Sequence, residues 1–188
     1  MDKKLELLQE DLRALHRHHR DETHEQYQRI NPFMEDLFDW KERGAYWPGA
    51  GKDVTIYNST TVVGDVTIGD HTWIGPYCSL DGGGGLKIGS HCSISLGCQF
   101  ISHDSAKWAL SGGKEGYEYA PIEIGDNCYF GSYVVVPKGK KIGKHCLIAA
   151  GCVVTKDVPD YSIVAGVPGK VIGKVVLENG KVTLEYFE

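Results

Sequence analysis

The sequence has no long apolar run and no excess of basic residues, and these two absences exclude two broad classes of protein. No apolar stretch approaches the about 20 residues that a membrane-spanning helix needs, and residues 1–22 contain no apolar segment typical of a secretory leader. Lysine and arginine total 20 against 25 aspartates and glutamates, which gives a formal net charge of -5. A dedicated nucleic-acid-binding chain normally presents a basic face. We therefore expect a cytoplasmic protein with no transmembrane segment and no nucleic-acid partner.

The sequence also lacks the residue spacings that bind structural metals. No two of its six cysteines form a Cys-x-x-Cys pair, and in the expected compartment cysteines remain thiols. Histidines are frequent in the N-terminal segment, but no cysteine or carboxylate spacing there completes a known site for His16, His18, His19 and His24. We therefore expect no metal.

What the chain does contain is an apolar residue at every sixth position. Strands repeat every two residues and helices every 3.6, so a period of six indicates one short strand followed by one corner. Three such units close a triangular coil of about 18 residues, and the repeat predicts about five stacked coils. A two-residue slip at 82–85 and a non-repeating excursion over 104–120 interrupt it. The repeating positions are Ile56, Val62, Ile68, Ile74, Leu80, Ile88, Ile94, Phe100, Ile124, Phe130, Val136, Ile142, Ile148 and Val154.

These patterns predict an all-β main domain, a parallel β-helix over residues 51–173. All six cysteines fall at the fifth, inward position of a hexad, so we expect them to be packed core residues. Residues 1–50 form a predicted α-helical cap, and residues 174–188 a β-hairpin that turns at Asn179-Gly180. A leucine stripe at 5, 8, 12 and 15 on the first predicted helix either contributes to the cap or docks on a neighbouring subunit.

One histidine stands apart by its context. His71, His91, His103 and His145 all occupy the fourth, outward position of a hexad, but the repeat stops directly after His103. A solid prism has no internal cavity, so a pocket requires an element that protrudes, and the 104–120 excursion is the only such element within the repeat. We therefore predict that His103 is the catalytic base at the floor of a cleft.

Three further residues are candidates for the same cleft. Asp104 either orients His103 or is a solvated loop carboxylate. Asp81, one coil earlier, either accepts a hydrogen bond from a substrate hydroxyl or is a simple turn aspartate. Trp108, within the excursion, is a predicted substrate-binding residue.

Several segments resemble the left-handed β-helix of hexapeptide-repeat acyltransferases, especially the galactoside, maltose and polysaccharide O-acetyltransferase branch. The segments are VTIGDHTWIG, PIEIGDNCYFGSYVVVPKGKKIGKHCLIAAGCVVTKDVP and VAGVPGKVI, and the resemblance covers roughly residues 56–173. It implies a left-handed β-helix, acetyl-CoA as cosubstrate, and direct acetyl transfer to the hydroxyl of a saccharide or nucleotide sugar. It also implies a homotrimer with active sites between subunits, and His103 as the catalytic histidine.

The same resemblance assigns residues to the acetyl-CoA site. Related enzymes use the positions of Ser132, Ala150, Thr155 and Lys156 along an extended pantetheine groove. Lys170 stands where many relatives carry arginine and would meet a CoA phosphate as a point charge. Finally, relatives commonly carry a tryptophan beside the acyl pocket. Tyr129 replaces it here, and the resemblance implies that Tyr129 binds substrate.

Three alternatives remain open from the sequence. The acceptor can be the amine of a nucleotide-linked amino sugar, which would make the protein an N-acetyltransferase. The β-helix can also be a non-catalytic scaffold or binding module. A metal-dependent carbonic anhydrase on the same fold needs three converging histidines, and the coil region lacks the usual two-histidine cluster.

Overall fold

The computed structural model describes residues 3–37 and 39–187. Most of these residues form a left-handed parallel β-solenoid of about six turns, which confirms the predicted fold.

The first face of this solenoid is a ladder of six short parallel strands. The first face consists of β1 (Thr55–Ile56), β3 (Trp73–Ile74), β5 (Ser93–Ile94), β10 (Tyr129–Phe130), β13 (Leu147–Ile148) and β14 (Ser162–Ala165).

The other two faces share their first strands. The long strands β2 (Thr61–Ile68) and β4 (Ser79–Ile88) bend around a corner and contribute to both faces. The second face continues with β6 (Gln99–Ile101) and β11 (Val135–Pro137), and the third with β9 (Ile122–Ile124) and β12 (Lys141–Ile142). Single bridges carry these faces on to Val153 and Val158.

Two corners of the prism matter for the site. The corner between the first and second faces, here the 1–2 edge, comprises residues 57–60, 75–78, 95–98, 131–134 and 149–152. The corner between the second and third faces, here the 2–3 edge, comprises residues 83–85, 102–121, 138–140 and 155–157.

The apolar residues of the repeat fill the prism. All fourteen predicted inward positions except the partly buried Val62 are buried, and Phe100 and Phe130 pack edge to face at the centre. The six cysteines are free and buried, which confirms their packing role. The hexads predicted about five coils. The last turn was missed because Val158 follows Val154 after four residues rather than six.

The predicted slip at 82–85 is a β-bulge in β4. Gly64 pairs with Gly82, but the next pair joins Val66 to Leu86, so β4 has two residues more than β2 at this corner. The bulge is packed directly against backbone. A Cβ on Gly82 would lie 2.3 Å from the Asp65 carbonyl oxygen, so no other residue fits there without a shift.

The N-terminal segment forms three helices, and two of them contact the first coil. They are α1 (Lys3–Tyr27), α2 (Phe33–Leu37) and α3 (Trp40–Tyr46). The buried Glu35 of α2 accepts the backbone N–H groups of Asn58 and Ser59, and Arg43 of α3 donates to the carbonyl groups of Tyr57 and Thr60. By contrast, α1 buries none of its side chains and its leucine stripe is exposed. None of the helices within residues 3–37 and 39–187 is long and apolar enough to cross a bilayer.

A C-terminal hairpin is present and turns at the predicted residues, but its first strand begins at Lys170 rather than at residue 174. Strands β15 (Lys170–Glu178) and β16 (Lys181–Tyr186) are antiparallel, and Asn179 and Gly180 turn with φ of 51° and 75°. Because β15 also pairs with β14, the hairpin extends the first face into an eight-stranded sheet.

Candidate active site

The predicted excursion is a flap that leaves the 2–3 edge and returns to it. Its neck is the short antiparallel pair β7 (His103–Asp104) and β8 (Glu118–Tyr119), in which His103 lies opposite Tyr119. The helix α4 (Ala106–Leu110) lies beyond the neck. We use the name flap for residues 103–119.

Aromatic rings surround the imidazole at the root of the flap. The His103 ring is nearly parallel to the rings of Tyr119 and Tyr117, with centroid distances of 5.6 and 6.4 Å and interplanar angles of 23° and 7°. Trp108 packs edge-on against Tyr117 at 5.9 Å. The structure therefore brings the predicted Trp108 into one aromatic cluster with His103.

The side chain that holds His103 is Asp81. Its Oδ2 lies 2.6 Å from His103 Nδ1 and also accepts the backbone N–H of Ser102, while Oδ1 accepts the N–H of Gly83. Burial raises the pKa of Asp81, but the hydrogen bonds from Gly83, His103 and Ser102 outweigh it, so the pKa lies below its ordinary value. Asp81 is thus an ionised partner of the imidazole.

The other three histidines of the hexads have a different environment. His71, His91 and His145 all adopt left-handed backbone conformations at corners, with φ of 54–55°. His71 stacks on His91, and His145 stacks on Tyr161, each with a centroid distance of 4.9 Å. His71 also has a carboxylate neighbour, since its Nδ1 lies 3.4 Å from Asp53 Oδ2, but both of these side chains are exposed. The strand-paired backbone and the 2.6 Å contact with a buried carboxylate therefore distinguish His103 from the other corner histidines.

Asp104 contacts a lysine of the following coil. Its carboxylate lies 2.8 Å from Lys138 Nζ and accepts the backbone N–H of Ala106. Lys138 Nζ also lies 2.6 Å from Glu118 Oε2, and Lys107 Nζ lies 2.6 Å from Glu118 Oε1. The hydrogen bond from Lys138 lowers the pKa of Asp104, and those from Lys107 and Lys138 lower the pKa of Glu118. The carboxylate on the His103 ring is thus that of Asp81, and Asp104 belongs to this charge cluster.

The predicted acetyl-CoA residues divide between two edges of the prism. Thr155, Lys156 and Lys170 line one pocket of about 300 Å³ at the 2–3 edge. Ser132 and Ala150 lie on the 1–2 edge in successive coils, where the Gly151 N–H donates to the Ser132 carbonyl. The two groups therefore flank the second face.

His103 and the pocket share the 2–3 edge. The register pairs Ile101 with Pro137 and Val135 with Val153, so the corner that holds Lys156 lies two coils beyond the corner that holds His103. At the usual strand spacing this separation is about 10 Å along the prism.

Tyr129 lies on another side of the prism. Its strand belongs to the first face, where Tyr129 lines a groove of about 370 Å³ with His145 and hairpin residues such as Val175 and Leu184. Within one copy of the chain, the structure does not bring Tyr129 and His103 together.

Ser102 and Lys138 belong to the site but are not among the predicted site residues. Ser102 is fully buried, and its hydroxyl accepts the Gly84 N–H at 2.8 Å. Lys138 follows Pro137, the register partner of Ile101, so a coil-by-coil alignment of the hexads is the signal that places it beside the flap. Among the described residues, no group of three or more histidine, cysteine or acidic side chains is arranged to hold a metal ion.

Comparison with known proteins identifies the repeat. Residues 121–156 match the family model described as bacterial transferase hexapeptide (six repeats). The chain is 30% identical over 129 residues to galactoside O-acetyltransferase from Escherichia coli (strain K12), covering 58% of this chain and 64% of that protein. Across the curated relatives that it matches, the aligned part spans from about a third to just under two thirds of the relative's own length.

Solved structures extend the similarity to most of the chain. A hexapeptide-repeat-containing acetyltransferase from Vibrio cholerae, complexed with acetyl coenzyme A, is 25% identical with a TM-score of 0.59, covering 92% of this chain and 90% of that chain. An N-acyltransferase from Bacillus cereus, in complex with dTDP and 3-hydroxybutyryl-CoA, is 21% identical with a TM-score of 0.60, covering 65% of this chain and 70% of that chain. The second similarity concerns the fold alone. The family match, the Escherichia coli relative and the Vibrio cholerae structure together confirm the resemblance to hexapeptide-repeat acyltransferases.

Proposed function

We propose that this hexapeptide-repeat protein is an O-acetyltransferase, which transfers an acetyl group from acetyl-CoA to a hydroxyl of a saccharide or nucleotide sugar. The single observation that carries the proposal is the 2.6 Å contact between His103 Nδ1 and Asp81 Oδ2 at the root of the flap. The acetyl coenzyme A in the Vibrio cholerae structure and the activity named for the Escherichia coli relative support the donor and the acceptor class.

The carboxylate sets the tautomer that a general base requires. Because Asp81 is ionised, it accepts a hydrogen bond, so Nδ1 of the neutral imidazole carries the proton and Nε2 has the free electron pair. Nε2 then removes the proton of the sugar hydroxyl as its oxygen attacks the thioester carbonyl carbon, a contribution of about 10²–10⁴-fold to the rate. When the carbon–sulfur bond breaks, the imidazolium returns that proton to the CoA sulfur. In this scheme Asp81 is a positioning residue.

The pocket at the 2–3 edge fits part of the donor. Lys156 and Lys170 both line it and provide two cationic side chains for the anionic phosphates of CoA, against the one carboxylate of Asp157, while Thr155 adds a hydroxyl. The pocket lies on the same edge as His103, two coils further on, so a pantetheine arm that follows this edge would lead from the phosphates towards the imidazole.

The second face offers a contact surface for the homotrimer that the resemblance implies. Its outward positions include five apolar side chains, whereas the third face presents mainly charged side chains such as Lys87, Glu123 and Lys141. A neighbouring copy packed on the second face would bury these apolar groups and bring a second set of edge residues to the groove. Ser132 and Ala150 would then contact the donor together with the 2–3 edge of the adjacent subunit. The outward apolar residues of the second face are Val63, Ile101, Val135, Pro137 and Val153.

A transfer screen with a matched histidine variant tests the proposal. Acetyl-CoA is supplied with a panel of sugars, nucleotide sugars and amino sugars, and thiol release and product mass are measured. We expect acetylated hydroxyl product from the wild type and a loss of at least about 10²-fold in His103→Ala, with little change in the control His91→Ala. Near-normal turnover of His103→Ala on every hydroxyl acceptor would reject the general-base role.

The same screen separates the amine alternative. An amine is a better nucleophile than a hydroxyl, so an N-acetyltransferase should depend less on His103. Product formed only on amino sugars, with a modest effect of His103→Ala, would favour N-acetylation. Absence of any transfer, together with no stabilisation of the protein by acetyl-CoA against thermal unfolding, would favour a non-catalytic scaffold.

A further inference from the structure

The neck of the flap places two carboxylates directly opposite each other. In the register of the neck, Asp104 pairs with Glu118, and the adjacent pair is His103 with Tyr119. Like charges directly opposite in an antiparallel pair destabilise that pair. The neck is only two residue pairs long, so a repulsion in one pair acts directly on the pair that contains the imidazole.

A lysine from the body of the solenoid lies between these carboxylates. Lys138 Nζ is 2.8 Å from Asp104 Oδ2 and 2.6 Å from Glu118 Oε2, and the lysine side chain is only 21% exposed. Lys107 also contacts Glu118, but it belongs to the flap itself and is 56% exposed. Of these two lysines, Lys138 is therefore the one that connects both strands of the neck to the next coil.

We propose that Lys138 is a positioning residue, which closes the neck of the flap by neutralising Asp104 and Glu118 and thereby keeps His103 and Tyr119 in register. This inference deepens the proposed function, because it rests on His103 being the base of acetyl transfer. Reacting groups held in place contribute strongly to catalysis, and a displacement of about 1 Å can cost about 10²-fold in rate.

Lysine-to-methionine substitutions test the role directly. Lys138→Met keeps most of the side-chain length but removes the charge, and we expect it to lower kcat on the acceptor by about 10-fold or more. Lys140→Met, on the same corner, is the control and should retain kcat within about twofold. Lys138→Arg restores a cation and should recover most of the loss, since a guanidinium can donate to both carboxylates.

The pH profile and a second substitution distinguish charge neutralisation from packing. The charged groups that face the neck are His103, Lys107 and Glu115 from the flap and Lys138 from the next coil. Without Lys138, protonation of one carboxylate relieves the repulsion, so the activity of Lys138→Met relative to the wild type should rise as pH falls from 7 to about 4.5, the ordinary titration range of carboxylates. Adding Asp104→Asn to Lys138→Met should likewise restore activity. A ratio independent of pH, with no rescue by Asp104→Asn, would overturn the proposal.

Hydrogen exchange provides a measurement that does not depend on catalysis. We expect backbone amides of residues 103–119 to exchange at least about 10-fold faster in Lys138→Met than in the wild type or in Lys140→Met. If the wild type transfers no acetyl group but this acceleration is present, the proposed function fails while the role of Lys138 in the neck stands. Unchanged exchange in the flap would refute that role, whatever the activity.

Discussion

Asp81 and His103 are 22 positions apart in the chain, yet Asp81 Oδ2 and His103 Nδ1 are separated by only 2.6 Å. The contact arises because β4 and β6 are neighbours on the second face, where Asp81 pairs with Ile101. Immediately afterwards the glycine bulge carries β4 around the 2–3 edge and leaves space for the root of the flap. The orientation of the imidazole is therefore a property of two adjacent coils.

Replacing Asp81 with asparagine should impair catalysis more than replacing Asp104. The two oxygens of Asp81 accept N–H groups from Gly83, Ser102 and His103. An amide in either orientation must therefore point its NH2 group at another donor, and it no longer favours the tautomer with the proton on Nδ1. We expect Asp81→Asn to lose about 10²-fold or more in kcat and Asp104→Asn less than about 10-fold. Steady-state kinetics on the best acceptor measures both, and equal losses would contradict the assignment.

The lowered pKa of Asp81 predicts how stability depends on pH. Its pKa in the folded state lies below that in the unfolded chain because hydrogen bonds from Gly83, His103 and Ser102 outweigh the burial of the carboxylate. The ionised form therefore stabilises the fold above about pH 4, and this stabilisation is lost as pH falls through the folded-state pKa. Urea unfolding of the wild type and Asp81→Asn between pH 7 and 3 should give a free-energy difference that is largest at neutral pH and shrinks below about pH 4. A difference that does not change with pH would show that Asp81 contributes only by its shape.

The glycine bulge should tolerate no side chain at Gly84. A Cβ there would lie 2.5 Å from the Ser102 carbonyl oxygen and 2.8 Å from the Ala120 nitrogen, and both atoms belong to the root of the flap. We expect Gly84→Ala to lower the free energy of unfolding by about 1–3 kcal/mol and to reduce activity with it. Gly116→Ala is the matched control, because no atom lies within 4 Å of its added Cβ. Similar stability of the two variants in urea titrations would contradict the close packing of the bulge.

Much of the solenoid follows from the sequence because its period is local. One apolar residue in six and the small residues at the fifth position define strand, corner and core without knowledge of distant contacts. The hairpin at Asn179-Gly180 and the slip at 82–85 follow from equally local signals. The final turn was not predicted because Val154 and Val158 are only four residues apart, which is shorter than the repeat.

The contacts within the site were harder to predict from the sequence because they join residues of different coils. Asp104 is adjacent to His103 in sequence, but successive side chains of a strand point to opposite sides. Asp104 therefore meets Lys138, and the imidazole meets Asp81. The two-residue bulge at 82–85 determines that Asp81 is the carboxylate that contacts the imidazole. The hexad pattern shows that extra residues are present there, but it does not give the backbone conformation of the bulge.

The contact between α2 and the first coil should be important for stability. Glu35 is only 5% exposed and accepts the N–H groups of Asn58 and Ser59 at 2.8 and 2.7 Å. Removing the carboxylate leaves these groups without that acceptor, so we expect Glu35→Ala to cost about 1–3 kcal/mol of unfolding free energy. The exposed Glu25→Ala should change stability by less than about 0.5 kcal/mol. Urea titration at pH 7 compares the two variants. An unchanged unfolding free energy in Glu35→Ala would imply that α2 is dispensable for the stability of the first coil.

Finally, dephospho-CoA thioesters test the assignment of Lys170. This lysine lines the pocket at the 2–3 edge together with Thr155 and Lys156, and a CoA 3′-phosphate beside it would gain a favourable ion pair. The wild type should therefore show a KM for acetyl-dephospho-CoA about 5- to 10-fold above that for acetyl-CoA, which corresponds to an exposed ion pair of about 1 kcal/mol. Lys170→Ala should raise the KM for acetyl-CoA and abolish the discrimination, while kcat remains nearly unchanged because the contact is equal in the ground and transition states. If Lys170→Ala raises the KM for both donors by the same factor, the lysine contacts another part of the donor. If it changes neither KM, the donor does not occupy this pocket.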